Sequence, residues 1–258
     1  MSRYICVDIG GTSIKHGVLD ENAIIKECNQ TKTEAWLGGA AVLDKVKTIG
    51  KQYKEQYENI EGICISTAGM VDPEEGKIVY AGELMPGYTG TCIKKELEKA
   101  LEMPCEVEND VNCAGLAEYV SGSAKESHIM FCATVGTGIG GCAIVNGRVF
   151  HGASNSACEV GYIPMGDSDF QTLGASSILV RKVAEKKIEP LDMWDGKKIF
   201  ALAEKGDKVC ISAIKEMCDV LGKGLATICY VLNPDTIVLG WGHYVQKKIL
   251  ENESGFVE

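Results

Sequence analysis

The apolar positions of the chain change period several times, and each change marks an element. Tyr4 to Ile9 is a β-rich run that breaks at Gly10-Gly11, and Ser13 to Leu19 resumes strand character before the polar corner Asp20-Glu21-Asn22. This pattern predicts a hairpin with glycines at its tip. From Ala40 to Tyr57 the spacing of Val42, Val46, Ile49 and Tyr53 is helical, and Ile60 to Ser66 returns to a short buried strand. Lys94 to Leu101 predicts a second helix, Cys105 to Glu108 a strand, and Val111 to Val120 a third helix.

The grammar then restarts. Ile129 to Val135 reads as a strand, Gly136 to Gly141 as a glycine-rich tip, and Cys142 to Val145 with Arg148 to Phe150 as further strand around the turn Asn146-Gly147. The remainder is helical over Ser176 to Lys187 and Cys210 to Leu232, and ends in the buried strand Thr236 to Leu239. Strands alternating with helices predict an α/β fold. The repeated opening predicts two related lobes with a cleft between them, residues 1–115 and 116–258, the boundary falling near 112 to 125.

Composition narrows the functional classes. With 258 residues, 45% of them hydrophobic, the chain can build one large domain or two of ordinary size. A formal net charge of -10 argues against a surface that tracks nucleic acid or anionic lipid, since both need clustered Lys and Arg. Twelve cysteines sit mostly in apolar runs such as Ile63-Cys64-Ile65, with no C-x-x-C, so they read as small buried hydrophobes of a reducing cytosol rather than as disulfides or a zinc site. No apolar run reaches the length of a membrane span, and the expected location is the cytoplasm.

Four stretches carry candidate chemistry. In Asp8-Ile9-Gly10-Gly11-Thr12-Ser13-Ile14-Lys15 the paired glycines let backbone N–H groups approach an anion, Thr12 adds a hydroxyl donor, and Asp8 could hold a hydrated Mg²⁺; an ordinary tight turn is the plainer reading. Thr134-Val135-Gly136-Thr137-Gly138-Ile139-Gly140-Gly141 offers a second phosphate cradle or a flexible loop. At Asn109-Asp110 the carboxylate is either a helix N-cap or a general base, roles that can coexist. In Gly152 to Tyr162 small residues lead to Glu159, either a solvated loop residue or a grip on sugar hydroxyls, while His151 reads as a packing residue.

Taken in order, DIGGTSIK at 8–15, ISTAGMVD at 65–72, LMPGYTG at 84–90, ENDVNCAGLAE at 108–118, GTGIGG at 136–141 and the Glu159 loop resemble the ROK family of bacterial sugar kinases, within the actin-like, hexokinase-like (ribonuclease H-like) ATPase fold. The resemblance runs from residue 4 to about 240. It implies ATP and Mg²⁺ as cofactors, Asp110 as catalytic base, and a sugar held by Asn109, Asp110 and Glu159, with Gly69, Tyr162 and Gln171 in the same site. It further implies ATP bound through Asp8, Gly10, Gly11, Thr12, Lys15, Thr137, Gly138, Gly140 and Gly240, Asp8 also serving the Mg²⁺, and a homodimer. The expected reaction is phosphorylation of a hexose or hexose derivative, at the 6-position. Family members that regulate transcription carry a helix-turn-helix ahead of the DIGGT strand, where this chain has three residues, so a kinase is favoured over a sugar-responsive regulator.

Three departures qualify the resemblance. The family's E-x-G-H reads Glu159-Val160-Gly161-Tyr162 here, and its cysteine cluster is absent, so no zinc site is expected. A sugar-contacting Glu aligns with Gln171, which leaves glucose, β-glucosides, other hexoses and N-acyl hexosamines open as acceptors. After Leu239-Gly240 the family's V-L-G-G-G gives way to Trp241-Gly242-His243-Tyr244 and a charged tail. Deleting one nucleotide from plausible codons restores Gly-Gly-Gly, so the end reads as truncated or frameshifted, and a sugar-binding protein with little turnover is the alternative.

Overall fold

A computed structural model describes residues 1–241 of the chain. Two compact units divide the described residues, Met1–Cys113 with Gly152–Ser156 in one and Ala114–His151 with residues 157–241 in the other. The unusual tail that begins at Trp241 lies, beyond that residue, outside the described residues.

The first unit opens with the hairpin β1 (Arg3–Ile9) and β2 (Ser13–Asp20), followed by β3 (Ile25–Lys32), helix α1 (Gly39–Gln56), β4 (Ile60–Thr67), the small hairpin β5 (Met70–Asp72) and β6 (Lys77–Tyr80), helix α2 (Ile93–Leu101) and β7 (Cys105–Asn109). Its main sheet has the order β3-β2-β1-β4-β7, antiparallel on the β2 side of β1 and parallel across β1, β4 and β7. Strand alternation decides which face is covered. Ile5, Val7 and Ile9 of β1 and Ile63 and Ile65 of β4 are buried in one cluster with Val42, Val46 and Ile49 of α1 and Ile93, Leu97 and Leu101 of α2. Each fully buried Ile or Leu contributes about 1.5–3 kcal/mol relative to an exposed one. At Gly50 a Cβ would stand 2.6 Å from Leu101 Cδ1, so the close contact of α1 with α2 depends on glycine there.

Helix α3 (Asp110–Ser121) carries the chain into the second unit. There follow β8 (Ile129–Val135), β9 (Ile139–Val145), β10 (Arg148–Val149), β11 (Pro164–Met165), β12 (Ser168–Asp169), α4 (Phe170–Gly174), α5 (Ser176–Lys187), α6 (Gly196–Glu204), α7 (Lys208–Leu232) and β13 (Thr236–Trp241). The sheet order β10-β9-β8-β13, with β8 antiparallel to β9 and parallel to β13, repeats the β3-β2-β1-β4 arrangement of the first unit. Met130, Phe131, Cys132 and Ala133 in β8 are all buried, as expected of a strand covered on both faces. Gly115 of α3 lets the helix lie against β9, since a Cβ there would meet Cys142 Sγ at 2.6 Å. The longest helix, α7, is capped by Asp207, which accepts from Val209 N and Cys210 N at 3.1 and 3.0 Å. A Lys187 ion pair at 2.6 Å joins the backbone bonds in holding that carboxyl at about 2.

The sequence expectations need correction in four places. The polar edge strand β3, the hairpin β5–β6 and the helix α6 have no counterpart in the apolar pattern. The second glycine tip is shorter than Gly136 to Gly141, because β9 begins at Ile139 and places Gly140 and Gly141 inside the sheet. All twelve cysteines were expected to be buried, yet Cys28, Cys64 and Cys229 are exposed and only Cys105, Cys132, Cys142 and Cys210 are fully buried. The fourth concerns the cap of α3 and belongs to the site.

Candidate active site

The acidic corner where β7 meets α3 is built around Asn109. Its Oδ1 accepts from Val111 N at 2.9 Å and Asn112 N at 3.1 Å, which makes Asn109, not Asp110, the residue that caps the helix. Its Nδ2 donates to Gly69 O at 2.9 Å and to Asp110 Oδ1 at 3.0 Å. All four hydrogen-bonding positions of this amide are thereby filled. Glu108 braces the corner from behind, accepting from Asn109 N at 2.8 Å and Asn112 Nδ2 at 2.9 Å. Gly69 is held at φ +103, and a Cβ there would stand 2.8 Å from Tyr80 O, so glycine is required for its carbonyl to reach Asn109.

Asp110 is the first residue of α3, and both of its hydrogen bonds, from Asn109 Nδ2 and from Val111 N at 3.0 Å, fall on Oδ1. The residue is open to solvent at its surface yet recessed among protein atoms. Loss of hydration raises its carboxyl above the ordinary Asp value, the negative charge of Asp8 adds to the rise, and the Val111 and Asn109 bonds oppose it. A carboxylate destabilised in this way is a better proton acceptor than a solvated one.

Asp8, on β1, is paired in register with Lys15 on β2 and Ser66 on β4. Ser66 Oγ donates to Asp8 Oδ1 at 2.8 Å and Lys15 Nζ stands 3.9 Å from Oδ2. The hairpin tip beyond it is Gly10 to Thr12, closed by Gly10 N to Ser13 O at 3.1 Å and anchored by the buried Thr33, whose Oγ1 donates to Gly10 O at 2.6 Å and whose N–H donates to Thr12 O at 3.0 Å. Gly11 and Thr12 are exposed, and a Cβ on Gly11 would meet nothing within 4 Å. One carboxylate beside an open, donor-lined tip fits Mg²⁺, which is ordinarily held by one or two carboxylates with phosphate oxygens and water. The LMPGYTG loop is fixed through Tyr88, buried and hydrogen-bonded to Thr67 Oγ1 at 2.7 Å, with burial pushing its phenol up to about 12.

In the second unit the tip is Gly136 to Gly138, closed by Gly136 N to Gly138 O at 2.9 Å. It is tied to the start of α5: Ser177 N donates to Gly136 O at 3.3 Å, Ser177 Oγ to Thr137 O at 2.7 Å, and Ser176 Oγ to Val135 O at 3.3 Å. Gln171, on α4, lies against this tip, since Cβ atoms on Gly138 and Gly161 would fall 2.7 and 3.0 Å from its Oε1. Glu159 is exposed at the start of a short 3-10 turn, Val160–Tyr162, and the Tyr162 ring is 64% exposed. Gly140 and Gly240 are not at a tip; both lie in strands and pair with Thr134 from opposite sides.

A cavity of about 740 Å³ adjoins Gly136 and Thr137, lined also by Ser177, Val180, Trp194 and Asp195. The Trp194 indole is buried with its Nε1 lacking a hydrogen-bond partner among the described residues, and Lys198 Nζ lies 4.1 Å from the ring centre. Of this lining the sequence motifs pointed to Gly136 and Thr137; for the rest, Ser176-Ser177 at a helix start reads equally well as plain capping. Among the described residues there is no cluster of three or more His, Cys, Asp and Glu able to hold a metal.

Two sheets of the same strand order, each opening in a glycine-tipped hairpin and one leading into an acidic strand-to-helix corner, define the class of actin-like, hexokinase-like ATPases. Within that class the chain belongs to the ROK family, whose model matches residues 4–254. It is 31% identical over 248 residues to a β-glucoside kinase of Klebsiella pneumoniae, covering 93% of this chain and 82% of that protein. Among solved structures it is similar to Lmo2764, a putative N-acetylmannosamine kinase of Listeria monocytogenes (TM-score 0.86, 28% identity, 97% of this chain and 87% of that one). It is also similar to a ROK glucokinase of Streptomyces griseus in complex with glucose and AMPPNP (TM-score 0.80, 26% identity, 93% and 83%).

Proposed function

We propose that the protein is an ATP- and Mg²⁺-dependent kinase that phosphorylates a hydroxyl of a hexose or hexose derivative, at the 6-position, with Asp110 as general base. The observation that carries this reading is the division of labour at the corner. Asn109 does the capping, both hydrogen bonds described above for the Asp110 carboxylate fall on Oδ1, and its proton affinity is raised.

In this mechanism the sugar hydroxyl donates to Asp110 Oδ2. As its oxygen bonds to the γ-phosphorus of ATP and the bridging P–O bond breaks, the proton passes to the carboxylate, leaving sugar phosphate and ADP. Asn109 orients the base, and a sugar contact of its own would replace its bond to Gly69 or to Asp110. Gly11 and Thr12 on one tip, shaped by the turn that Gly10 closes, with Lys15 on the strand beside it, and Thr137 and Gly138 on the other tip, would present donors to phosphate oxygens. Mg²⁺, when bound, neutralises phosphate charge, and Asp8 would hold it. The cavity beside Thr137 takes the nucleoside, with Trp194 in its wall. Glu159, Tyr162, Gln171 and Gly69 complete the sugar contacts. Relatives named as glucokinase, β-glucoside kinase and N-acetylmannosamine kinase support the reaction class while differing in acceptor.

The test is a coupled ADP-release assay over a panel of hexoses, amino sugars and β-glucosides, with and without Mg²⁺. Sugar-dependent ADP release that requires the metal is expected. Nucleotide and sugar binding without ADP release from any acceptor would sink the kinase reading.

A further inference from the structure

The face of the first sheet turned away from α1 and α2 carries two thiols side by side. Cys6 on β1 and Cys64 on β4 are registered partners in a parallel pair, so both side chains leave the same face. Neighbouring strands lie about 4.8 Å apart, inside the range of roughly 4.4–6.8 Å that a disulfide spans between Cα atoms. Cys64 is exposed and Cys6 half-buried, so one thiol meets solvent and the other waits behind it. The next registered pair on this face is Asp8 and Ser66, joined by the 2.8 Å hydrogen bond described above.

We propose that Cys64 is a reversible oxidation site for hydroperoxides, with Cys6 as its resolving thiol. The Cys64 thiolate sulfur attacks one peroxide oxygen and the O–O bond breaks. Cys64 is oxidised to the sulfenic acid, and the peroxide is reduced to water or an alcohol. The Cys6 sulfur then attacks the Cys64 sulfur, the S–O bond breaks, and the departing hydroxide leaves as water with the Cys6 proton. The product is a Cys6–Cys64 disulfide, which an external dithiol reduces by exchange. Such transient bridges are the form that disulfides take in reducing compartments. The cross-link lies directly behind Asp8, the residue assigned above to Mg²⁺.

The electrostatics agree with the order of events. The neighbouring Cys6 thiol holds the Cys64 thiol below its ordinary value, against the burial and the Glu106 charge that raise it. Cys64, the thiol that meets solvent, is therefore the nucleophile, and the half-buried Cys6 the follower. Alkylation of Cys64 should therefore be faster than that of the exposed Cys28 and Cys229.

The test uses the full chain, reduced and then exposed to hydrogen peroxide, followed by quenching with an alkylating reagent and peptide mass mapping. The expected product is a Cys6–Cys64 bridged peptide that appears before Cys28 or Cys229 is lost and reverts with dithiothreitol. Cys6→Ser should leave a Cys64 sulfenic acid that dimedone traps, and Cys64→Ser should abolish Cys6 oxidation. The alkylation rates of Cys64, Cys28 and Cys229 in the unaltered protein give a readout that needs no variant. Equal or slower alkylation of Cys64, a Cys6 oxidised as readily in Cys64→Ser, or loss of all exposed thiols in step with no bridge would each overturn the proposal. None of these measurements depends on kinase turnover.

Discussion

The two glycine tips follow the same strand grammar and are braced differently. The first, Gly10 to Thr12, hangs from a buried threonine that arrives from β3, and its base holds the charged pair Asp8 and Lys15 with Ser66 bonded to Asp8. The second, Gly136 to Gly138, is roped to the first turn of a 12-residue helix by two serines and borders a cavity with the Trp194 indole in its wall. A tip beside charge suits the reacting phosphate and its metal. A tip beside a helix N-terminus and an apolar cavity suits anchoring the rest of a nucleotide, because the helix end supplies fixed N–H donors and positive partial charge. Under the proposed function the repeated topology would serve unequal halves, one for chemistry and one for grip.

The strongest way to break this contrast is Asp110→Ala. Loss of a general base costs a factor of about 10² to 10⁴ in turnover, and the variant should keep its affinity for a fluorescent nucleotide analogue if gripping belongs to the second tip. Steady-state kinetics set beside a nucleotide titration check both halves. The pH behaviour follows from the raised carboxyl. The base acts ionised, so wild-type kcat should fall with decreasing pH through a midpoint above the ordinary Asp value of about 3.9. The same shift has the opposite sign for stability. Because the folded state binds this proton more tightly than the unfolded one, the ionised carboxylate lowers stability above the folded midpoint, and the penalty fades as pH falls. Asp110→Asn should therefore melt slightly above the wild type at neutral pH while remaining inactive.

Thr33→Val comes next. It removes the hydroxyl that supports Gly10 O and leaves the backbone bond to Thr12 in place. Removing one partner of a buried hydrogen bond costs about 1–3 kcal/mol. The melting temperature should drop, and the KM for ATP should rise with it. An unchanged KM in a folded variant would mean that the first tip does not meet the nucleotide.

The sequence made some of this arrangement legible and hid the rest. The hairpins were readable because β1 and β8 are strongly apolar and end abruptly in glycine. The repeat of strand, tip and strand was readable for the same reason. Strand β3 was not, because Ile25–Lys32 is almost wholly exposed and its polar residues offer no buried face from which to infer a period. Capping was ambiguous because Asn and Asp both cap well. What decides between them is the register of β7 on β4, which sets Asn109 opposite Thr67 and brings it within reach of Gly69. The pairing of Cys6 with Cys64 is likewise a register fact that no local pattern of apolar residues contains.

On the second tip, Ser177→Ala removes the 2.7 Å bond to Thr137 O, a partly exposed contact whose loss costs about 0.5–1.5 kcal/mol. If that serine positions the tip for phosphate, the KM for ATP should rise several-fold with kcat nearly intact, the reverse of the Asp110 pattern. A fall in kcat with an unaltered KM would transfer the chemistry to the wrong half and dissolve the contrast between the tips.

The smallest effect, and the sharpest discriminator, is expected at Gly11. Its φ is not in the left-handed region and an added Cβ meets nothing within 4 Å, so nothing in the folded chain forbids alanine. Gly→Ala at a compatible position stabilises by about 0.4–1 kcal/mol through the unfolded chain, so the melting temperature should hold or rise slightly. If Gly11 serves only the turn, kinetics will not change. If the tip closes on phosphate, the new methyl occupies space that phosphate oxygens need, and the KM for ATP will rise in a protein at least as stable as the original. Gly10→Ala supplies the contrast, because its Cβ would press on Ser13 O at 3.0 Å and disturb the turn with or without nucleotide. A kinetic loss at Gly11 unaccompanied by any loss of stability would mark the first tip as a ligand-binding surface, whereas parallel losses at both glycines would mark it as a hairpin and nothing more.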